Sequence, residues 1–162
     1  MILTARRCGY ALVALVTLAV FAGHAARADG TTTQTLIFKE LERGSTFVHI
    51  RNTKASARSN SLGDLFAFGI PLADARGKAA GRIHANCATT VGAKNFERSV
   101  LTCSGVIVLE GGTLTVQLNT SPGVPTSTGA ITGGTGRYAN ARGVLVSKET
   151  RAGSTDTITL VD

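Results

Sequence analysis

From Thr31 onward, turn-forming residues interrupt the chain too often for helices. No stretch of roughly ten to fifteen residues carries a 3.6-residue apolar period, and short runs of strand formers alternate with Gly, Asn, Asp, Ser and Pro. The runs predict strands at Thr35–Lys39, Thr46–Arg51, Gly63–Leu72, Gly81–Thr90, Ser99–Leu109, Thr113–Leu118, Gly143–Glu149 and Thr155–Val161, with a strand-like Ala130–Thr132 between the last loops. Pro71 sits near a strand end, where a missing N–H does least harm. Asn52–Leu62, polar and rich in Ser and basic residues, reads as the longest loop. Sequential hairpins without long crossovers predict an all-β, eight-stranded antiparallel up-and-down barrel rather than a Greek-key sandwich.

One segment stands apart. Ala130-Ile-Thr-Gly-Gly-Thr-Gly-Arg-Tyr-Ala-Asn-Ala-Arg-Gly143 concentrates glycine between two apolar strands, with Tyr138 as its one large ring. Such density permits positive φ and close backbone approach, so the segment predicts a tight corner. It is not a phosphate loop, because neither a Lys-Ser/Thr pair nor a helical pattern follows it.

The first residues read as a removable export signal. Arg6 and Arg7 precede the uncharged apolar run Cys8–Ala22, and Ala26-Arg27-Ala28 supplies a small-x-small cleavage site before Asp29. The run is shorter than the ~20 residues a membrane span needs, which argues against a stable anchor. Removing 28 of 162 residues leaves 134, the size of one domain, and takes Arg6, Arg7 and Arg27 away, lowering the formal charge from +7 to +4. The remaining charge is dispersed, without the clustered Lys/Arg and aromatic platforms of a nucleic-acid binder. A secreted or periplasmic destination follows from the signal.

Two cysteines remain after cleavage, Cys87 and Cys103, and an exported pair predicts a disulfide. With a hairpin tip near Gly92–Phe96, both lie equally far from Asn95 and face each other across the strands. Two Cys without close spacing or a nearby His pair make no metal site.

Two segments in the same order resemble those of allene oxide cyclases and dirigent proteins. The first is Ser61-Leu-Gly-Asp-Leu-Phe-Ala-Phe-Gly-Ile-Pro-Leu72 with Ala80-Gly81-Arg82; the second is Gly129–Gly143; Leu36–Ser45 resembles the first strand more loosely. The resemblance implies a calycin-type eight-stranded barrel with an apolar cavity, a cofactor-free activity and the possibility of a homotrimer. Site residues carry over unevenly. Aligned on Arg43-Gly44-Ser45, the cyclases' first-strand carboxylate and asparagine positions hold Ile37 and Lys39, although Ser45 is kept. The dirigent proteins' first-strand Asp corresponds to Glu40, while the Asp and Arg they carry upstream of the glycine motif have no counterpart, since Asn119–Ala130 is uncharged. Their acidic residue after the Gly-Asp strand is also absent, as Gly69 and Ile70 follow Phe68. The chain thus resembles an unorthodox member.

The candidate acid/base group is Glu40, in phase with Leu36 and Phe38 and so on one face of a regular strand. If that face is the lumen, a buried carboxyl has a raised pKa and can shuttle a proton; if not, Glu40 is an exposed strand-end carboxylate beside Arg43 or Lys39. Tyr138 and Arg142 are candidate donor and oxyanion-holding groups at the glycine corner, or else braces of that turn. Phe38, Ser45, Phe68, His84 and Asn86 are candidate cavity residues, with His84 and Asn86 on one strand face and either luminal or on the surface. His49 alternates with Val48 and Ile50 and reads as solvent-facing. Together these residues predict a barrel that binds a small apolar or phenolic molecule and steers its cyclisation or coupling without a cofactor. The alternative is a non-catalytic ligand-binding or structural barrel.

Overall fold

The computed structural model describes residues 33–52, 60–151 and 153–161. The predicted signal, its cleavage site and most of the predicted loop after Asn52 lie outside the described residues. Nine strands form among the described residues: β1 (Thr33–Glu40), β2 (Thr46–Ile50), β3 (Leu65–Ala73), β4 (Ala79–Val91), β5 (Val100–Leu109), β6 (Gly112–Thr120), β7 (Thr126–Gly134), β8 (Arg142–Thr150) and β9 (Gly153–Val161). Neighbours from β3 to β9 pair in sequence, β9 pairs with β1, and β1 returns to β3 through Lys39↔Ala73 and Glu40↔Leu72. This closes an eight-stranded antiparallel up-and-down barrel of β1 and β3–β9.

β2 lies outside the closed ring. It pairs with β3 from Thr46↔Gly69 to Ile50↔Leu65, on the same edge that β1 uses farther along. Glu42–Ser45 is therefore a jog that moves the chain along one edge of β3, not a hairpin turn between paired strands. The Arg82 side chain secures it, donating from Nη2 to the carbonyls of Gly44 at 3.0 Å and Gly69 at 3.2 Å.

Period-two alternation divides each barrel strand into a wet and a dry face. On β6, Leu114 and Val116 are buried while Thr113, Thr115 and Gln117 face out. Outward hydroxyls pair across strands, as in Thr113–Thr135 at 2.7 Å and Thr115–Thr132 at 3.1 Å. Inward, Leu72, Ile107, Leu114 and Ile158 are at most 1% exposed. Burying each such side chain contributes about 1.5–3 kcal/mol, which supplies a core without Trp.

A second, smaller cluster of Phe66, Cys87, Leu101 and Cys103 continues the interior. Cys87 and Cys103 are register partners on β4 and β5 and form a disulfide, with Cα atoms 4.0 Å apart. The intervening loop carries a 3-10 turn at Phe96–Arg98, capped by the Asn95 side chain accepting from the Glu97 amide.

The glycine segment closes part of the barrel. β7 runs to Gly134, a 3-10 turn spans Gly136–Tyr138, and β8 leaves from Arg142. The amides of Thr135 and Arg137 donate to the carbonyls of Thr113 and Gly111, laying the corner over the β5–β6 turn. Gly136 has φ +60°, and a Cβ there would collide with the Gly111 carbonyl oxygen. Tyr138 folds inward and joins the core with Leu72, Leu114 and Leu160.

Candidate functional site

β1 and β9 bring two acids into the lumen. Phe38 pairs with Asp156, and Glu40 is the next residue of β1 on the same face. Asp156 also pairs with Ser147 of β8, and Ser154 pairs with Glu149. A cavity of about 360 Å³ is lined by Glu40, Ser147, Glu149, Ser154 and Asp156 together with apolar walls that include Phe47, Phe68 and Phe96. A further recess of about 450 Å³ is lined by Glu40, Leu41, Ser45 and Phe47.

The electrostatics of this pair are unusual. Asp156 is 1% exposed, and neither of its carboxyl oxygens makes a hydrogen bond of ordinary geometry; Glu40 and Ser147 are its polar neighbours. Burial pushes its pKa above the ordinary carboxylate range, partly offset by Ser147 and Glu40. The Glu40 pKa is pushed up to about 7, first by burial and then by the negative charge of Asp156. Two neighbouring carboxyls in a poorly solvated place cannot both ionise cheaply, so their titrations are coupled and the pair retains a proton near neutrality. Such a pair can donate from one oxygen and accept at another.

The other candidates fall in different places. Phe68 lines the cavity, while Phe38 is buried in the core beside it. Ser45 is exposed in the recess, its hydroxyl donating to the Leu41 carbonyl at 2.7 Å. His84 and Asn86 are not luminal: they face outward into a shallow concavity, because Ile83, Ala85 and Cys87 occupy the inward positions of β4. Tyr138 and Arg142 do not join Glu40. Arg142 begins β8, five residues before Ser147, the partner of Asp156. At about 3.3 Å per residue that is roughly 16 Å. The Arg142 guanidinium donates to the Ala141 carbonyl at 2.8 Å, and Tyr138 is buried in the core beneath the Arg137 side chain. Both brace the corner.

Two features were outside the sequence reading. Asp156 was missed, although it stands in phase with Ile158 and Leu160, and an acid in an apolar row is a detectable signal. Asp64 was missed as well. It is 1% exposed and accepts from the amides of Asn52 at 2.7 Å and Ser61 at 3.2 Å, while His49 Nε2 lies 3.2 Å from its Oδ2. The Asn52 amide above all, with Ser61 and His49, holds the Asp64 carboxyl below its ordinary pKa despite burial. His49 is accordingly not solvent-facing. Its ring stacks on Phe66 at 4.4 Å, and Val48 and Ile50 are exposed, because the register pairs His49 with the buried Phe66 and Phe47 with Phe68 on one face of the sheet and leaves Val48 and Ile50 on the other.

Among the described residues, no group of three or more His, Cys, Asp or Glu side chains is arranged to hold a metal ion. No helix among them is long and apolar enough to cross a membrane.

The barrel is shared with several solved structures. A pyocyanin demethylase is 25% identical, with a TM-score of 0.62 over 80% of this chain and 99% of its own. A pterocarpan synthase dirigent protein is 19% identical, with a TM-score of 0.59 over 81% of this chain and 87% of its own. A Diels–Alderase from Streptomyces koyangensis is 12% identical, with a TM-score of 0.57 over 83% of this chain and 70% of its own. No protein-family model matches the sequence, and no curated protein is significantly similar to it. The fold is that of the dirigent-like barrel superfamily.

Proposed function

We propose that the lumen is a working site in which the Glu40–Asp156 pair moves protons on a small apolar or phenolic molecule, guiding its cyclisation or coupling. The observation that carries this reading is the pair of buried acids on the wall of an otherwise largely apolar cavity. A ring closure such as a phenol adding to its own quinone methide requires one proton to leave the attacking hydroxyl. Another must reach the carbonyl oxygen as the new C–O bond forms. A carboxyl pair holding a single proton does both and ends in its starting state. The apolar walls restrict the substrate to a few reactive conformers, and such positioning alone can be worth several kcal/mol. The barrel shared with a pterocarpan synthase dirigent protein and a Diels–Alderase supports a role in guiding cyclisation.

The test is to incubate the pure protein with quinone-methide, phenoxy-radical and polyene substrates and to measure product enantiomer ratios. Wild-type protein shifts at least one ratio from racemic and Glu40→Gln does so far less. Unchanged ratios for all three classes overturn the reading.

A carrier that binds without turnover is the second reading. It is favoured by Thr120 and Ser127, cavity residues whose hydroxyls lie 2.5 Å apart and engage each other rather than an ionisable partner. Tight binding of a stable ligand, with no product from any substrate, would select it.

The leader-like N-terminus and the disulfide support a place in an oxidising compartment outside the cytoplasm. Finding the chain cleaved before Asp29 and oxidised at Cys87 and Cys103 in the exported fraction tests this.

A further inference from the structure

We propose that the lumen selects small aromatic cations: planar nitrogen compounds whose positive charge settles against Asp156 and Glu40 while the ring lies along the phenylalanine wall. This inference deepens the proposed function by naming the charge of its substrate, and it rests on the lumen being the site.

Asp156, buried, Glu40, partly buried, and Glu149, exposed, line the cavity, and no Lys, Arg or His side chain lines it. Ion pairs form away from this cavity, at His49–Asp64 and Arg76–Asp74. Lys39 and Lys148 both sit across from Thr155, but on exposed positions of the strands, where solvent screens them. Asp156 is the decisive residue. Its side chain is almost wholly buried in the cavity wall, beside Glu40 and Ser147 but without a hydrogen bond of ordinary geometry at either oxygen. A buried acid without a basic partner is costly to ionise, and a cation placed against it recovers that cost.

The walls say which kind of cation. A calcium ion takes six to eight oxygen ligands and magnesium takes six, whereas most of this lining is hydrocarbon. Phe47, Phe68 and Phe96 line it, Phe47 and Phe96 with part of their surface in solvent, and aromatic faces attract positive charge through their quadrupole. A volume of about 360 Å³ accommodates two or three fused rings. An anionic ligand would meet Glu40 and Asp156 with no compensating base in the lining.

The experiment titrates the folded, oxidised protein at neutral pH with three bicyclic probes of matched footprint, using calorimetry: N-methylquinolinium, 2-naphthol and 2-naphthoate. N-methylquinolinium is expected to bind about tenfold or more tighter than 2-naphthol, and 2-naphthoate most weakly. Asp156→Asn is expected to bring N-methylquinolinium to within about threefold of the 2-naphthol affinity measured in the same variant. If that variant does not fold, Glu40→Gln at the partly exposed partner makes the same test. Naphthoate binding as tightly as the cation, or a cation preference that survives removal of the acid, overturns the proposal. If 2-naphthol binds and the cation binds no tighter, this proposal alone falls. If none of the three binds, the lumen reading falls and takes this proposal with it.

Discussion

Glu40 stands one inward step beyond Phe38, the register partner of Asp156, so the two acids meet on the luminal face of the β1–β9 ladder. Neither has a basic partner in the cavity. Burial and the charge of Asp156 raise the cost of ionising Glu40, while burial alone raises that of Asp156, and the consequences for stability follow directly.

Folding raises the Glu40 pKa from 4.5 to about 7, so the folded state binds this proton more tightly than the unfolded state does. The resulting stabilisation is complete below pH 4.5 and is lost as the pH rises through about 7. Denaturant titrations across that window should show wild-type stability falling by on the order of 1–3 kcal/mol from this pair. Glu40→Gln should remove much of the slope, and Glu40→Gln with Asp156→Asn should flatten it further. A slope unchanged in the double variant contradicts the pairing.

Asp64 acts through the chain around it. Replacing it by Asn leaves an amide where a carboxylate served the Asn52 and Ser61 amides and His49. The expected loss is about 1–3 kcal/mol in chemical denaturation. Because folding lowers this pKa, the contribution is present above the unfolded value of 3.8 and lost as pH falls through the folded one. The difference between wild type and Asp64→Asn should therefore shrink in acid.

At the glycine corner, Gly136→Ala places a methyl group against the Gly111 carbonyl at a φ of +60°. A penalty of at least about 2 kcal/mol, read from urea unfolding, is expected. The neighbouring Asn140, which also has positive φ at 65°, should tolerate glycine with no loss.

The outward residues provide the contrast. His84→Ala, Asn86→Ala and Arg142→Ala should leave product enantiomer ratios and ligand affinity within about twofold of wild type, the range expected for surface changes away from a site. A large effect from His84 or Asn86 would move the site to the outer concavity.

Much of the fold was legible because period-two alternation and turn chemistry are local. Leu114, Val116 and Leu118 announce their face, and Cys87 finds Cys103 by counting from the hairpin tip. β2 was less legible. Its apolar Val48 and Ile50 point outward and its His49 inward, an inversion set by the β2–β3 register, which pairs His49 with the buried Phe66. The site was half legible. Leu36, Phe38 and Glu40 share a row, so Glu40 could be singled out, but which face was luminal depended on closure of β1 against β3 and β9. Asp156 lies 116 residues from Glu40 in the chain, and their meeting is a property of the β1–β9 register. Tyr138 and Arg142 attracted attention because glycine-rich corners often frame ligands; here the glycines let the corner lie against the β5–β6 turn.

The most direct measurement is the titration of the Glu40 side-chain carboxyl by carbon-detected NMR, in wild type and in Asp156→Asn. A wild-type midpoint near 7 that falls in Asp156→Asn but stays above 4.5, because burial remains, is the predicted result. A Glu40 midpoint near 4.5 in wild type would contradict the account, because the acids would then be two independent carboxylates and not a proton-holding pair.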